Sequence, residues 1–327
     1  MFVSLRRARP DPFLVGIVSA AGLGMALPCS GPVAGVFGAV TRIAIAIMFF
    51  MQGVKLSRAA VLAGLGHWRL HLTILACTFV AYPLVGWGLS HLASRLLPNA
   101  LLTGLVFLCL LPSTVQSSIA FVSLARGNVA AAVCAATASN VLGIALTPAL
   151  ATLALHTRGY EVQTGDVWKI ATQILAPFLI GQLVQPWLSG WAARNKALVT
   201  LSDRGSIVLV VYTAFSAATL QGVWRLVAPA DLACLVALEA IVLVLVFSAA
   251  RVGARALGFS REDEIAIVFC GTKKSLASGA PMAAVLFPAA ALGAVIVPLV
   301  IFHQMQLMAA AVVARRYATR SSPAAPG

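Results

Sequence analysis

The chain has 327 residues, of which 61% are hydrophobic and only 10% charged, and its formal charge is +14. A mean hydropathy of +0.97 excludes an ordinary soluble domain, which needs about a quarter of its residues charged to cover its surface. In so apolar a chain the basic excess reads as loop charge that fixes orientation in a membrane, not as a nucleic-acid surface.

Apolar runs of roughly 18 or more residues recur along the whole chain and are continuous, so they predict membrane-spanning helices and not a β-barrel. In chain order, charged and Pro/Gly-rich breaks divide the sequence into ten predicted spans: 12–30, 33–53, 68–93, 100–124, 128–155, 166–189, 204–221, 229–250, 262–287 and 290–314. The connections leave no room for a folded extramembrane domain. Arg6, Arg7 and Arg9 precede the first span, which ends Leu27-Pro28-Cys29-Ser30. Pro28 stands where a lipoprotein cleavage site needs a small residue, so this stretch reads as a span, not a leader. The six cysteines (Cys29, Cys77, Cys109, Cys134, Cys234 and Cys270) form no CxxC pair and read as small packing residues.

With both termini cytoplasmic, 16 of the 23 Lys and Arg residues fall on the cytoplasmic side. Only Arg95, Arg158, Lys169 and Arg225 fall opposite, and Arg42, Lys273 and Lys274 lie inside spans. That bias predicts cytoplasmic N- and C-termini and an even number of spans, and the composition suits a bacterial inner membrane. The first span opens Pro12-Phe13-Leu14-Val15-Gly16 and the sixth contains Pro177-Phe178-Leu179-Ile180-Gly181. Five spans separate the two motifs, so the halves must insert in opposite directions. The expected architecture is all-α, with ten transmembrane helices in two inverted five-helix repeats, residues 1–160 and 161–327.

The fourth and ninth spans occupy equivalent places in these repeats, and both are interrupted. The fourth carries Pro112, Ser113, Thr114, Gln116, Ser117 and Ser118 in mid-span; the ninth carries Gly271, Thr272, Lys273, Lys274, Ser275, Ser278, Gly279 and Pro281. Pro removes a backbone donor and Gly weakens a helix. Unwound backbone at membrane depth is tolerated only where protein or a wet cavity satisfies it, so paired breaks predict a binding site at the crossing of two discontinuous helices. A simple kink, with hydroxyls bonded back to their own backbone, is the plainer reading of either break alone.

A central Lys costs at least about 2.5–3.5 kcal/mol to insert, which marks Lys273 and Lys274 as functional candidates. Glu239, in the middle of the eighth span, is the acid at comparable depth. It is expected to pair with one lysine and leave the other for an anionic substrate or in place of a cation. Thr137, Ser139 and Asn140 in the fifth span, and His303, Gln304 and Gln306 in the tenth, complete the polar set. Arg42 and Gln52 in the second span are weaker candidates that could face a cavity, Gln52 lying near the cytoplasmic end.

These residues resemble the bile acid:sodium symporter superfamily, in particular the branch of bacterial sodium/bile acid cotransporters and eukaryotic regulators of calcium homeostasis. The stretches that carry the likeness are PSTVQSSIAF (112–121), ARGNVAAAVCAATASNVLGIALTP (125–148), FCGTKKSLASGAPMAAVLFP (269–288) and FHQMQLMAAAVVARRYA (302–318). The resemblance implies a panel of spans 1, 2, 6 and 7, a core of spans 3–5 and 8–10, and sodium-coupled uptake of organic anions by alternating access. Set against the family's sodium-site motif, Phe269 stands at the acidic position and Lys273 and Lys274 at the two amide positions. Ser117 and Ser118 keep their hydroxyls, and Ala132 and Ala136 fall near the fifth-span hydroxyls, for which Thr137, Ser139 or Asn140 could substitute.

Two ammonium groups repel a sodium ion. The coupling ion is therefore open between sodium and a proton carried by Glu239 and a lysine, or is replaced by a fixed Lys. The leading expectation is a secondary transporter, a symporter of a small organic anion, in contact with lipid and not with nucleic acid. The alternative is a regulatory membrane protein that alters calcium entry through partners. Ser278-Gly279 with His303 resembles a serine protease only superficially, because Leu276 stands where a GxSG motif needs its first Gly. No nucleotide loop, metal cluster or haem motif is visible, so neither an enzyme nor a cofactor is expected.

Overall fold

The structure is a computed structural model that describes residues 12–55, 67–156, 171–225 and 227–319. Arg6, Arg7, Arg9, Arg58, Arg158, Lys169, Arg320 and the expected boundary between 160 and 161 lie outside the described residues. Among the described residues the regular elements are helical and no strand occurs. In chain order they are α1 (Pro12–Ala26), α2 (Gly31–Lys55), α3 (Trp68–Leu92), α4 (Asn99–Leu110), α5 (Gln116–Leu124), α6 (Val129–His156) and α7 (Thr172–Leu183). There follow α8 (Gln185–Arg194), α9 (Lys196–Leu220), α10 (Pro229–Ala256), α11 (Arg261–Gly271), α12 (Leu276–Leu286) and α13 (Ala289–Thr319).

Six of these helices, α2, α3, α6, α9, α10 and α13, are long and apolar enough to cross a membrane. Shorter apolar helices are α1, α4 and α7. Large apolar side chains such as Val36, Leu72, Leu84, Val244 and Val252 face outward, as they must where the solvent is hydrocarbon. The chain is an integral membrane protein.

Local chemistry sets the helix ends. Pro229 stands in the first turn of α10, where its missing N–H costs nothing, and Asp231 accepts from the Ala228 N–H at 2.7 Å. At α11 the Ser260 hydroxyl caps the Asp263 N–H at 3.1 Å, and Glu262, Asp263 and Glu264 fill the positively polarised first turn. Two boundaries differ from those expected. The stretch expected as one span to 189 ends at Leu183, and Pro186 restarts the chain as α8. Helix α9 begins at Lys196 instead of 204, because its charged first turns lie beside α2, where Asp203 takes Lys55 at 2.6 Å.

Helix α9 packs on α1, α2, α12 and α13, and α7 packs on α2. Helix α8 also packs on α2, while a second group gathers around α4 and α11: α4 lies against α3 and α13, and α11 against α3, α5, α6 and α10. At one end of this second group Glu264 accepts from Arg255 Nε at 2.8 Å and from the Tyr317 hydroxyl at 2.5 Å. That cluster ties α10, α11 and α13 together.

The tightest helix contact is between α2 and α7. A Cβ on Gly181 would strike the Phe50 carbonyl oxygen, and one on Gly53 would strike that of Phe178. Small residues let the two backbones touch, which is how helices gain packing energy in a medium that gives no hydrophobic drive between them. Gly16, the sequence counterpart of Gly181, would meet only the Val208 side chain at 3.6 Å. Gly181→Ala and Gly53→Ala should therefore each destabilise the detergent-solubilised protein by about 1–3 kcal/mol, an overpacking cost. Gly16→Ala should leave the thermal midpoint within error of wild type.

Candidate functional site

Helix α4 ends at Leu110 because Pro112 has no N–H to continue it, and α5 begins at Gln116. Helix α11 ends at Gly271, and α12 begins at Leu276 under a Ser275 hydroxyl that caps the Ser278 N–H at 3.1 Å. The two unwound stretches meet directly, with the Ser275 N–H donating to the Pro112 carbonyl at 2.9 Å. Lipid offers no donor at membrane depth, so a carbonyl buried here must find one within the protein.

The carbonyls at the end of α4 find one each. Leu108 receives the Leu111 N–H and Leu110 the Thr147 hydroxyl at 2.9 Å. The Ser113 N–H, which would close the next turn on Cys109, is turned away to Ser139 Oγ at 3.0 Å. Cys109 and Leu111 instead receive Lys274 Nζ, at 2.8 and 2.7 Å. The third bond of that ammonium goes to the Thr78 carbonyl at 2.8 Å.

Thr78 is available for a local reason. Helix α3 contains a wide π turn over Cys77–Ala81, in which the Tyr82 N–H bonds to Cys77. The next residue, Pro83, has no N–H to offer. The Tyr82 ring lies 4.2 Å from Lys274 Nζ, and its hydroxyl donates to the Thr272 carbonyl in the second break. Gln306 on α13 then holds the Lys274 backbone from both sides, with Oε1 accepting its N–H at 2.8 Å and Nε2 donating to its carbonyl at 2.7 Å.

Lys273 points elsewhere. It is fully buried, stands 4.2 Å over the Phe121 ring, and its Nζ has no hydrogen-bond partner among the described residues. Glu239 does not pair with either lysine, contrary to the sequence expectation. Both of its carboxyl oxygens are buried without a hydrogen-bond partner among the described residues. It sits within electrostatic reach of Cys109. The expected ion pair fails because backbone carbonyls reach Lys274 first and claim all three of its protons.

On the other side of the crossing lies a cavity of about 420 Å³. Its polar lining is Thr114, Gln116 and Ser117 from the first break, Ser275 and Ser278 from the second, Thr137 and Asn140 from α6, and His303 from α13. Phe13, Val141, Ile144, Phe178, Ile207 and Leu307 supply apolar walls, and Gln52, Lys55, Thr200, Asp203 and Arg204 line the remainder. Ser278 Oγ donates to Asn140 Oδ1 at 3.0 Å, while Thr114 Oγ1 meets Ser117 and Ser118 at 2.7 and 3.0 Å. The first turns of α5 and α12 both face this space. Their N–H groups have no intrahelical acceptors, and the positive ends of two helix dipoles converge there.

The residues singled out in the sequence thus separate into two sets. Thr114, Gln116, Ser117, Thr137, Asn140, Ser275, Ser278 and His303 line the cavity. Ser113, Ser118, Ser139, Thr272, Lys273 and Lys274 are buried behind it and serve the breaks, and Glu239 is remote from it. Gln304 is half-buried and lies outside both sets, whereas Gln306, two residues on, is the clamp. Sequence reasoning missed Thr78, Tyr82, Asp203 and Arg204. The Tyr82-Pro83 pair in mid-span was the one available signal, since a mid-span Pro frees a carbonyl upstream. Among the described residues, no group of three His, Cys, Asp or Glu side chains is placed to hold a metal ion.

The chain matches the SBF-like CPA transporter family over residues 11–319. An uncharacterized protein of Pseudomonas aeruginosa is 51% identical, across 99% of this chain and 97% of its own length. YfeH of Escherichia coli K12, provisionally named a symporter, is 46% identical across 94% of this chain and 92% of its own. Sodium/bile acid cotransporter 7 of Mus musculus is 30% identical across 93% of this chain and 91% of its own.

The clamp geometry sets a clear contrast between neighbouring glutamines. Gln306→Ala leaves a buried N–H and a buried C=O of Lys274 unpaired and should destabilise the protein by about 2–4 kcal/mol. Gln304→Ala should cost under about 1 kcal/mol. Thermal unfolding of the two variants in the same detergent measures the difference.

Proposed function

The chain belongs to the SBF-like CPA transporter family, and we propose that it is a secondary transporter, a symporter that carries a small organic anion through the cavity beside the two helix breaks. The observation that carries this reading is the convergence of two half-helix N-termini on a cavity of about 420 Å³. A space of that size suits one small molecule. Positive helix ends and the hydroxyl and amide groups of Thr137, Asn140 and Ser278 suit an anionic head. Phe13, Phe178, Ile144 and Ile207 suit an apolar body. Arg204, over the Phe13 ring at 5.2 Å, adds a cation, while the charge of Lys55 is offset by Asp203.

Ten spans in two inverted repeats fit this reading. The interrupted α4–α5 and α11–α12 pairs are then the fourth and ninth spans, and α1, α2, α7 and α9 form the panel on which the remainder moves. The excess of Lys and Arg on one side supports cytoplasmic termini in a bacterial inner membrane, with the cavity on the Lys55 and Arg204 side accessible from the cytoplasm. Alternating access would carry the same cavity lining to the other face, with sodium or a proton as the coupling ion.

Uptake by purified protein in liposomes, screened against radiolabelled carboxylates, sulfates and steroid conjugates, tests the proposal. Saturable uptake of at least one anion is expected, and Asn140→Ala should reduce it at least tenfold with the thermal midpoint little changed. Absence of uptake for every class, or uptake that appears only when a second protein is added, would sink it.

A further inference from the structure

We infer that Lys274 is a built-in cation, whose ammonium permanently fills the carbonyl cage at the helix crossing and leaves no place there for sodium. The consequence for coupling rests on the transporter reading above, but the geometry does not. Three carbonyl oxygens from two separate segments converge on one point, at 2.8, 2.8 and 2.7 Å from Nζ. Thr78 comes from the π turn of α3, and Cys109 and Leu111 from the negative end of α4. Convergent backbone oxygens freed by unwound helices are what a hard cation takes as ligands in a protein. Here the ligand set is complete, and its occupant is covalently attached.

The occupant must be charged. A neutral amine has two N–H bonds and a lone pair, whereas three acceptors at hydrogen-bonding distance require the three N–H bonds of an ammonium. The Tyr82 ring at 4.2 Å closes a fourth side, and Gln306 holds the Lys274 backbone so that the side chain cannot withdraw. A free sodium ion at the crossing would share it with two lysines. The buried acid that could offset such a charge, Glu239, has no ion-pair contact with either of them. The residues present do not fit a sodium site, although the mouse relative's name pairs its transport with sodium.

Of the two coupling ions named above, the arrangement leaves the proton. It also makes Lys274 a positioning residue: its charge holds α3, α4 and the second break in one geometry whether or not substrate is bound.

Thermal unfolding in sodium, lithium, potassium and choline chloride at equal ionic strength tests the inference without any substrate. Wild type should show one midpoint in all four salts. Lys274→Ala should unfold roughly 5–10 °C lower in choline, the size expected for an uncovered set of buried carbonyls. Sodium or ethylammonium should restore at least half of that loss in the variant alone. A saturable, sodium-specific rise in the wild-type midpoint overturns the inference, as does a variant that no cation restores or that matches wild type in choline. If the variant does not survive extraction, the wild-type comparison decides the question. Failure of anion uptake with a salt-independent wild type would count against the transport reading and leave the built-in cation standing.

Discussion

Unwound backbone inside a membrane protein has only the protein itself to satisfy its carbonyls, and one lysine ammonium takes three of them. Everything around the crossing follows from that constraint. Pro112 ends α4 and exposes its last carbonyls, and the π turn with Pro83 exposes Thr78. Lys274 reaches both segments because Gln306 replaces the missing helical partners of its own peptide groups. If any of these parts is removed, the others are left buried and unpaired, a penalty of about 1–3 kcal/mol for each group. The lysine's charge, costly in lipid on its own, is offset by the carbonyl dipoles it satisfies.

The same two breaks divide charge by direction. The C-terminal end of α4 faces Lys274, so negative dipole meets ammonium. The N-terminal ends of α5 and α12 face the cavity, so positive dipole meets whatever enters. A helix broken in mid-membrane therefore gives both a cation site and an anion site a few residues apart. In this chain the end suited to a cation holds Lys274, and the ends proposed to take an anion border the cavity. The contact between Gly53 and Gly181 holds the backbones of α2 and α7 close together, and both helices contribute to the cavity wall.

Much of this was legible in the sequence. Run length gave the membrane class, and proline, glycine and hydroxyl residues marked both breaks at the residues where the helices stop. Their capping and cavity-lining hydroxyls were also visible, because Ser and Thr in mid-span have few other uses. The roles of the lysines were not. A sequence places Lys273 and Lys274 at one depth but cannot say that they point to opposite sides, one to carbonyls and one to Phe121. Glu239 looked like their partner because acids are rare at that depth, yet its carboxyl oxygens bond neither of them. Gln306 was lost beside Gln304, since only the helical phase of α13 decides which of the two looks inward. Arg204 was counted only among the orienting charges and Asp203 was not singled out, whereas both belong to a helix that starts earlier and turns them to the cavity.

The most direct test of this division of charge is an experimental structure of the protein soaked with a brominated carboxylate, located by its anomalous scattering. The account predicts a bromine peak in the cavity between the first turns of α5 and α12, beside Asn140 and Ser278. Lys274 should remain on its three carbonyls. A carboxylate bound to Lys273 or Lys274, with the ammonium drawn off the carbonyls and the cavity empty, would contradict it.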